Sequence, residues 1–215
     1  KGKDTSMWMA IESLKKNESH AIVSAGNTGA LFVIAKLNLN MIVNIDKPAL
    51  SALWPNKNGM NVVLDLGANI DCDENNLVDF AELGSALYKS LYINETPRVS
   101  LLNIGSEEIK GTEILKKAFK RLETLDDRNN FYFKGYIEGN RIMSGETDVI
   151  ITDGFTGNIA LKTAEGTAKF ITDNLKKSLN QNLFSKISIL FSYFALKKFK
   201  EKLDPRKYNG AIFLG

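Results

Sequence analysis

Val62-Val63-Leu64-Asp65-Leu66-Gly67-Ala68-Asn69 is the stretch on which the fold turns. Three apolar residues stop at an aspartate, a short polar loop with a glycine follows, and a helical rhythm begins over Leu77, Phe80, Ala81, Gly84 and Leu87. A strand that is apolar throughout and gives way to a helix is the building unit of a parallel sheet covered on both faces. The same grammar precedes it, where Ala21-Ile22-Val23 runs into Ser24-Ala25-Gly26-Asn27-Thr28-Gly29 and a helix through Leu31, Ile34 and Ala35. It recurs in Val99-Ser100-Leu101-Leu102, then Asn103-Ile104-Gly105-Ser106-Glu107-Glu108, then a helix over Ile114, Leu115, Ala118 and Leu122. A fourth unit joins Val149-Ile150-Ile151 to Thr152-Asp153-Gly154-Phe155-Thr156-Gly157-Asn158 and a long helix through Leu161, Ala164 and Ala168. Ala49 to Trp54 and Phe131-Tyr132-Phe133 read as further strands. The pattern predicts one α/β domain over residues 1–215, three-layered and Rossmann-like, with a mostly parallel sheet. All four polar loops then leave the carboxyl ends of their strands, the rim where open α/β sheets bind ligands.

Composition narrows what such a domain can do. A net charge of +3 from 28 Lys and Arg against 25 Asp and Glu supplies no basic field for nucleic acid. Cys72 is the only cysteine, so one chain forms no internal disulfide and no cysteine-based zinc cluster, a usage that fits a reducing cytoplasm. His20, the only histidine, stands before the first strand run, where a surface role is expected. No apolar run reaches the length of a membrane span, and no signal peptide is visible at Lys1-Gly2-Lys3-Asp4. Since the first residue is not methionine and a helical pattern starts almost at once, the chain is expected to be a fragment.

The chemistry is expected in the loops. A glycine at a strand-to-helix turn brings backbone close to a ligand, and the free amides and dipole of the helix favour an anion, most commonly phosphate. Ser24, Gly26, Asn27 and Thr28 in one loop, Asn69 in a second, and Thr156 and Asn158 in another add uncharged donors, although helix capping selects the same residue types. Neither the dinucleotide fingerprint nor the P-loop is present, so no nucleotide cofactor is indicated. Asp65 and Asp153 are expected to hold loop amides rather than to act as bases, and Asp71, Asp73 and Glu74 to serve a helix start rather than a metal. Cys72 reads as a packing residue, while Lys110 and Lys162 can each reach an anion at the rim.

Taken in order, these motifs, with Tyr208-Asn209-Gly210-Ala211 near the end, resemble those of the acyl-[acyl-carrier-protein]:phosphate acyltransferases of bacterial phospholipid synthesis, the PlsX type. The resemblance spans essentially the whole chain, with Lys47 where that family more often has arginine. It implies an isopropylmalate dehydrogenase/phosphotransacetylase-like fold and a homodimer; the sequence itself gives no sign of a cofactor or a metal. It further implies transfer of a long acyl chain from acyl carrier protein to inorganic phosphate, giving acyl phosphate. Lys110 and Asn158 are then the catalytic candidates that stabilise charge, and Ser24, Gly26, Asn27, Thr28, Asn69 and Thr156 the phosphate-binding ones. The family's Gly-Gly-Asp loop and its Ser/Ala-His-Gly segment lie outside this chain.

Residues 176–203 change character: Leu183, Phe184, Ile187, Leu190, Phe191 and Phe194 alternate with lysines in a basic amphipathic helix or helical pair. Such a segment can lie in an anionic membrane surface, or pack between subunits. The expectation is a cytoplasmic enzyme peripherally associated with the inner face of the membrane. The rival readings are a phosphotransacetylase-like enzyme acting on acyl-CoA, and an inactive membrane-associated scaffold.

Overall fold

The computed structural model describes residues 2, 4–93, 95–125, 131–181, 191–199 and 210–215. Its strands are β1 (Ala49–Pro55), β2 (Met60–Leu64), β3 (Arg98–Asn103), β4 (Tyr132–Glu138), β5 (Val149–Ile151) and β6 (Ala211–Leu214). They form one sheet in the order β4-β3-β5-β2-β1-β6. The first four in that order run parallel, Val62 opposite Val149 and Val99 opposite Val149 on its other side. Both neighbours of β1 are antiparallel to it, Ser51 lying opposite Leu64 on one side and Ile212 on the other.

Apolar runs form the central strands because both of their faces are buried. Val62, Leu64, Val99, Leu101, Val149 and Ile151 point to one face, where α3 (Glu74–Leu91) and α4 (Glu113–Leu125) complete the core with Leu77, Phe80, Ala118 and Leu122. Val63, Leu102 and Ile150 point to the other, under Ile142 and the first turns of α5 (Gly154–Leu179) at Ala160, Leu161 and Ala164. Sheet and two helical faces make the three layers that the pattern predicted. Asp73 starts α3 with a capping box shared with Asn76, which is the helix-start role expected of it.

One expected strand is missing. Residues 21–23 form no ladder, no described strand lies beside the run, and Val23 is fully exposed. Three residues without a partner strand cannot close enough hydrogen bonds to persist. The Ser24 to Gly29 loop is therefore carried by helices: it joins α1 (Ser6–Lys15), whose Met7 packs on Gly26, to α2 (Thr28–Asn38). The α2 helix reaches the sheet at Phe32, 5.5 Å from the ring of Phe213. Between them runs an apolar groove of about 670 Å³ lined by Ile22, Leu31, Ala35, Leu53 and Ala211. His20 lies exposed before it, as expected.

The α5 helix outruns the sheet, leaving Phe170 and Ile171 exposed on its second half. Residues 191–199 are again helical, with Phe191 85% and Phe194 83% exposed. Leu183, Phe184, Ile187 and Leu190 lie outside the described residues, as do Tyr208 and Asn209. No described helix is long and apolar enough to cross a membrane.

Candidate active site

Because β2, β5, β3 and β4 are parallel, the loops after the first three leave side by side at one rim. The loop after β2 is organised by Asp65, whose buried carboxylate accepts five hydrogen bonds. Oδ1 accepts from the amides of Leu50 (3.0 Å), Gly67 (3.2 Å) and Ala68 (3.0 Å), and Oδ2 from the Asn69 amide (2.7 Å) and Asn69 Nδ2 (2.9 Å). Asn69 spends its other side-chain proton on the Pro48 carbonyl at 2.8 Å. Both N–H groups of this side chain are thus committed to holding the loop. Lys47, next along, donates to the Asp71 carbonyl at 3.0 Å and brings a cation to the same rim.

The loop after β5 is locked onto the one after β2. The Gly154 amide donates to the Asn69 carbonyl at 2.8 Å, and Gly157 lies against the Asp65 carbonyl so closely that no Cβ fits. Asp153 caps α5, accepting the Thr156 amide at 2.8 Å and the Thr156 hydroxyl at 2.7 Å. The exposed Asn158 lies over Gly67, its Nδ2 3.6 Å from where a Cβ would stand. Asp65 and Asp153 thus hold amides of their loops, the structural role expected of them.

The loop after β3 presents Lys110. Asn103, at the end of the strand, donates from Nδ2 to the Lys110 carbonyl at 3.0 Å and accepts the Ile104 amide at 2.8 Å. Gly111 turns at φ +94°, with Asn103 Oδ1 2.5 Å from the place of a Cβ, so only glycine lets the chain fold back there. The exposed Lys110 ammonium lies 2.9 Å from Glu107 Oε1, which raises the lysine's pKa and lowers that of the glutamate. Asn103 was not singled out from the sequence, yet its place as the first polar residue after an apolar strand was the available signal.

The fourth candidate loop stands apart. Asn27 accepts the Ala30 amide at 2.9 Å as the cap of α2, and Ser24 accepts the Gly26 amide at 3.1 Å. Thr28 begins the helix and is exposed. Among the described residues no hydrogen bond joins this loop to the other three, and the expectation that it too leaves a strand end is corrected by the missing strand. Its polar residues meet the demand of a helix start.

Cys72 is half-buried below the rim, and burial is the main cause that pushes its thiol pKa up to about 11, so it stays protonated as expected of a packing residue. Lys162 pairs with Glu165 at 2.9 Å on an exposed face of α5. Among the described residues no group of three or more His, Cys, Asp or Glu is placed to hold a metal ion.

Known proteins share both the sequence and the fold. The chain is 64% identical over 217 residues to a phosphate acyltransferase of Pelagibacter ubique, covering all of this chain and 64% of that protein. It is 47% identical to the phosphate acyltransferase of Paramagnetospirillum magneticum, again over the whole chain and 60% of the relative. The chain thus spans somewhat under two thirds of the length of these relatives. In structure it resembles a phosphotransacetylase from Streptococcus pyogenes (TM-score 0.59, 16% identity, 75% of this chain and 54% of that one). It also resembles the EutD phosphotransacetylase from Staphylococcus aureus (TM-score 0.56, 13% identity, 76% and 56%). These distant likenesses establish a phosphotransacetylase-like fold. The model of the fatty acid synthesis protein family matches residues 1–215 in full, and the chain belongs to that family.

Proposed function

We propose that this chain carries the reaction site of a phosphate acyltransferase, which moves a long acyl chain from the thioester of acyl carrier protein to inorganic phosphate. The observation that supports this most is the rim itself: two interlocked glycine loops present Asn158, and a third loop beside them presents an exposed ammonium on a fixed backbone. Hydrogen phosphate dianion is already a nucleophile. One of its oxygens attacks the thioester carbonyl, the C–O bond forms, the C–S bond breaks, and the carrier's thiolate leaves to take a proton from solvent. The enzyme then has to position the two substrates and to stabilise the oxyanion that develops on the carbonyl.

In this reading Lys110 and Asn158 stabilise charge. Asn69 and Thr156 support them by holding the two interlocked loops, and Ser24, Gly26, Asn27 and Thr28, on the loop that opens α2, seat phosphate. Lys110→Ala is expected to lower acyl phosphate formation about tenfold or more, since one charge-stabilising donor is commonly worth that much. An assay of acyl phosphate from acyl carrier protein thioester and phosphate tests it, and a wild-type rate in the variant refutes the assignment. Acyl-CoA in place of the carrier thioester tests the phosphotransacetylase-like alternative, and absence of product from either donor would leave the scaffold reading.

The bared aromatic residues of 191–199 support peripheral contact with an anionic membrane; the homodimer and the cytoplasmic side are carried over from the family resemblance. Phe191→Glu with Phe194→Glu is expected to abolish co-sedimentation with anionic vesicles, because both rings are exposed and each charge is costly at an acyl boundary. Equal binding by wild type and variant would reject the contact.

A further inference from the structure

The placement of Lys110 points to a role for its neighbour. The lysine backbone is fixed from below by Asn103 and by the turn at Gly111, so the ammonium can range only as far as its own stem. That stem is folded back over Gly105. A Cβ there would collide with Lys110 Cδ and would stand 2.8 Å from Glu107 Oε2 and 3.1 Å from Lys110 Nζ. The ammonium thereby rests on Glu107 at 2.9 Å, with both side chains about half exposed. Glu138, at the end of β4, is the other carboxylate that acts on Lys110, and it does so weakly, without a hydrogen bond.

We infer that Glu107 is a positioning residue that holds Lys110 in a parked position and competes with the phosphate substrate for it. The inference rests on the reading of Lys110 as a charge-stabilising cation of the reaction site and extends it to the charge of the incoming phosphate. A single ammonium cannot make its best contact with two anions at once, so the arriving anion has to displace the carboxylate. An exposed pair of this kind is weak enough to be displaced. A dianion such as hydrogen phosphate outcompetes the singly charged carboxylate, whereas a monovalent anion gains nothing by the exchange. Glu107 therefore loosens phosphate binding and at the same time screens out weaker anions. The titration directions of the pair agree, since each group is held in its charged form by the other. Gly105 belongs to the device, because any side chain there would occupy the parking place.

Titration of the chain with inorganic phosphate at fixed ionic strength, using wild type, Glu107→Gln, Lys110→Ala and the double variant, tests this. Glu107→Gln is expected to tighten phosphate binding about twofold to fivefold, the factor that corresponds to an exposed ion pair. The gain is expected to vanish in the double variant, because Glu107 acts through Lys110. In wild-type protein the Glu107 carboxyl resonance is expected to titrate at higher pH when phosphate is saturating, its lysine having been withdrawn. If Lys110→Ala weakens binding while Glu107→Gln leaves it unchanged or weaker, the competition is refuted and the reading of Lys110 survives. If Lys110→Ala binds phosphate as wild type does, the inference fails, while the reading of Lys110 as a charge-stabilising group is decided separately by the rate of acyl phosphate formation. Tightening by Glu107→Gln that persists without Lys110 refutes the inference as well, since it reports only the loss of a nearby charge.

Discussion

Replacing Gly157 with alanine is expected to cost the protein about 3 kcal/mol, the upper part of the range for overpacking, and to lower its thermal midpoint by roughly 6–12 °C. The new methyl group would meet the Asp65 carbonyl, and Thr152 Cγ2 lies 2.8 Å from its position. Backbone is the obstacle, so no rotamer change relieves it. The α5 helix would have to lift from the loop after β2, breaking the Gly154 to Asn69 hydrogen bond that joins the two loops. Gly166→Ala in the same helix is the control. Nothing lies within 4 Å of a Cβ there, and the higher helix propensity of alanine should stabilise by up to about 1 kcal/mol. A thermal melt of both variants decides it: if Gly157→Ala melts with wild type, the two loops are not interlocked as described.

Asp65→Ala is expected to be at least as damaging, with a loss of about 3–5 kcal/mol measured by urea unfolding. Its carboxylate satisfies four backbone amides and one side-chain amide from a fully buried position. Removing it leaves these donors without a partner in a place that water reaches poorly. Asp65→Asn should recover part of the loss, since its remaining oxygen can serve the Leu50, Gly67 and Ala68 amides while its NH2 faces the Asn69 donors unfavourably. An alanine variant with wild-type stability would show that the loop holds itself without the carboxylate.

The aspartate was legible in the sequence as a loop organiser because it ends an apolar run at a point where several amides lose their ladder partners. The three β-to-α units from Val62 onward were legible for a similar reason: strand and helix periods follow each other without ambiguity, and both faces of each strand find cover. Residues 21–23 show where that reasoning stops. A run of three apolar residues carries the same pattern whether or not a partner strand is beside it, and only long-range pairing decides the matter. The antiparallel placing of β1 and β6 was invisible for the same cause, since strand direction is set by long-range pairing. At the site, the polar residues of the Ser24 to Gly29 loop were open to two accounts from the start, and Asn27 with its hydrogen bond to Ala30 serves the capping one. Lys110 was visible as a lysine close behind the third loop and, through the resemblance, as a catalytic candidate. That its backbone is clamped by Asn103 depends on a fold-back at Gly111 that spacing alone does not reveal.

The pairing of β6 with β1 also sets an order of events during synthesis. The Ser51 hydroxyl donates to the Ile212 carbonyl at 3.1 Å across a separation of 161 residues. At about 5–20 residues per second, β1 waits on the order of 10–30 s after leaving the ribosome before its outer neighbour exists. During that interval its outer edge and the apolar strip beside it face solvent unpaired, the situation in which strands recruit foreign strands. A chaperone that grips nascent chains is therefore expected to dwell on residues 49–55 more than on β3 or β5, whose parallel neighbours arrive sooner.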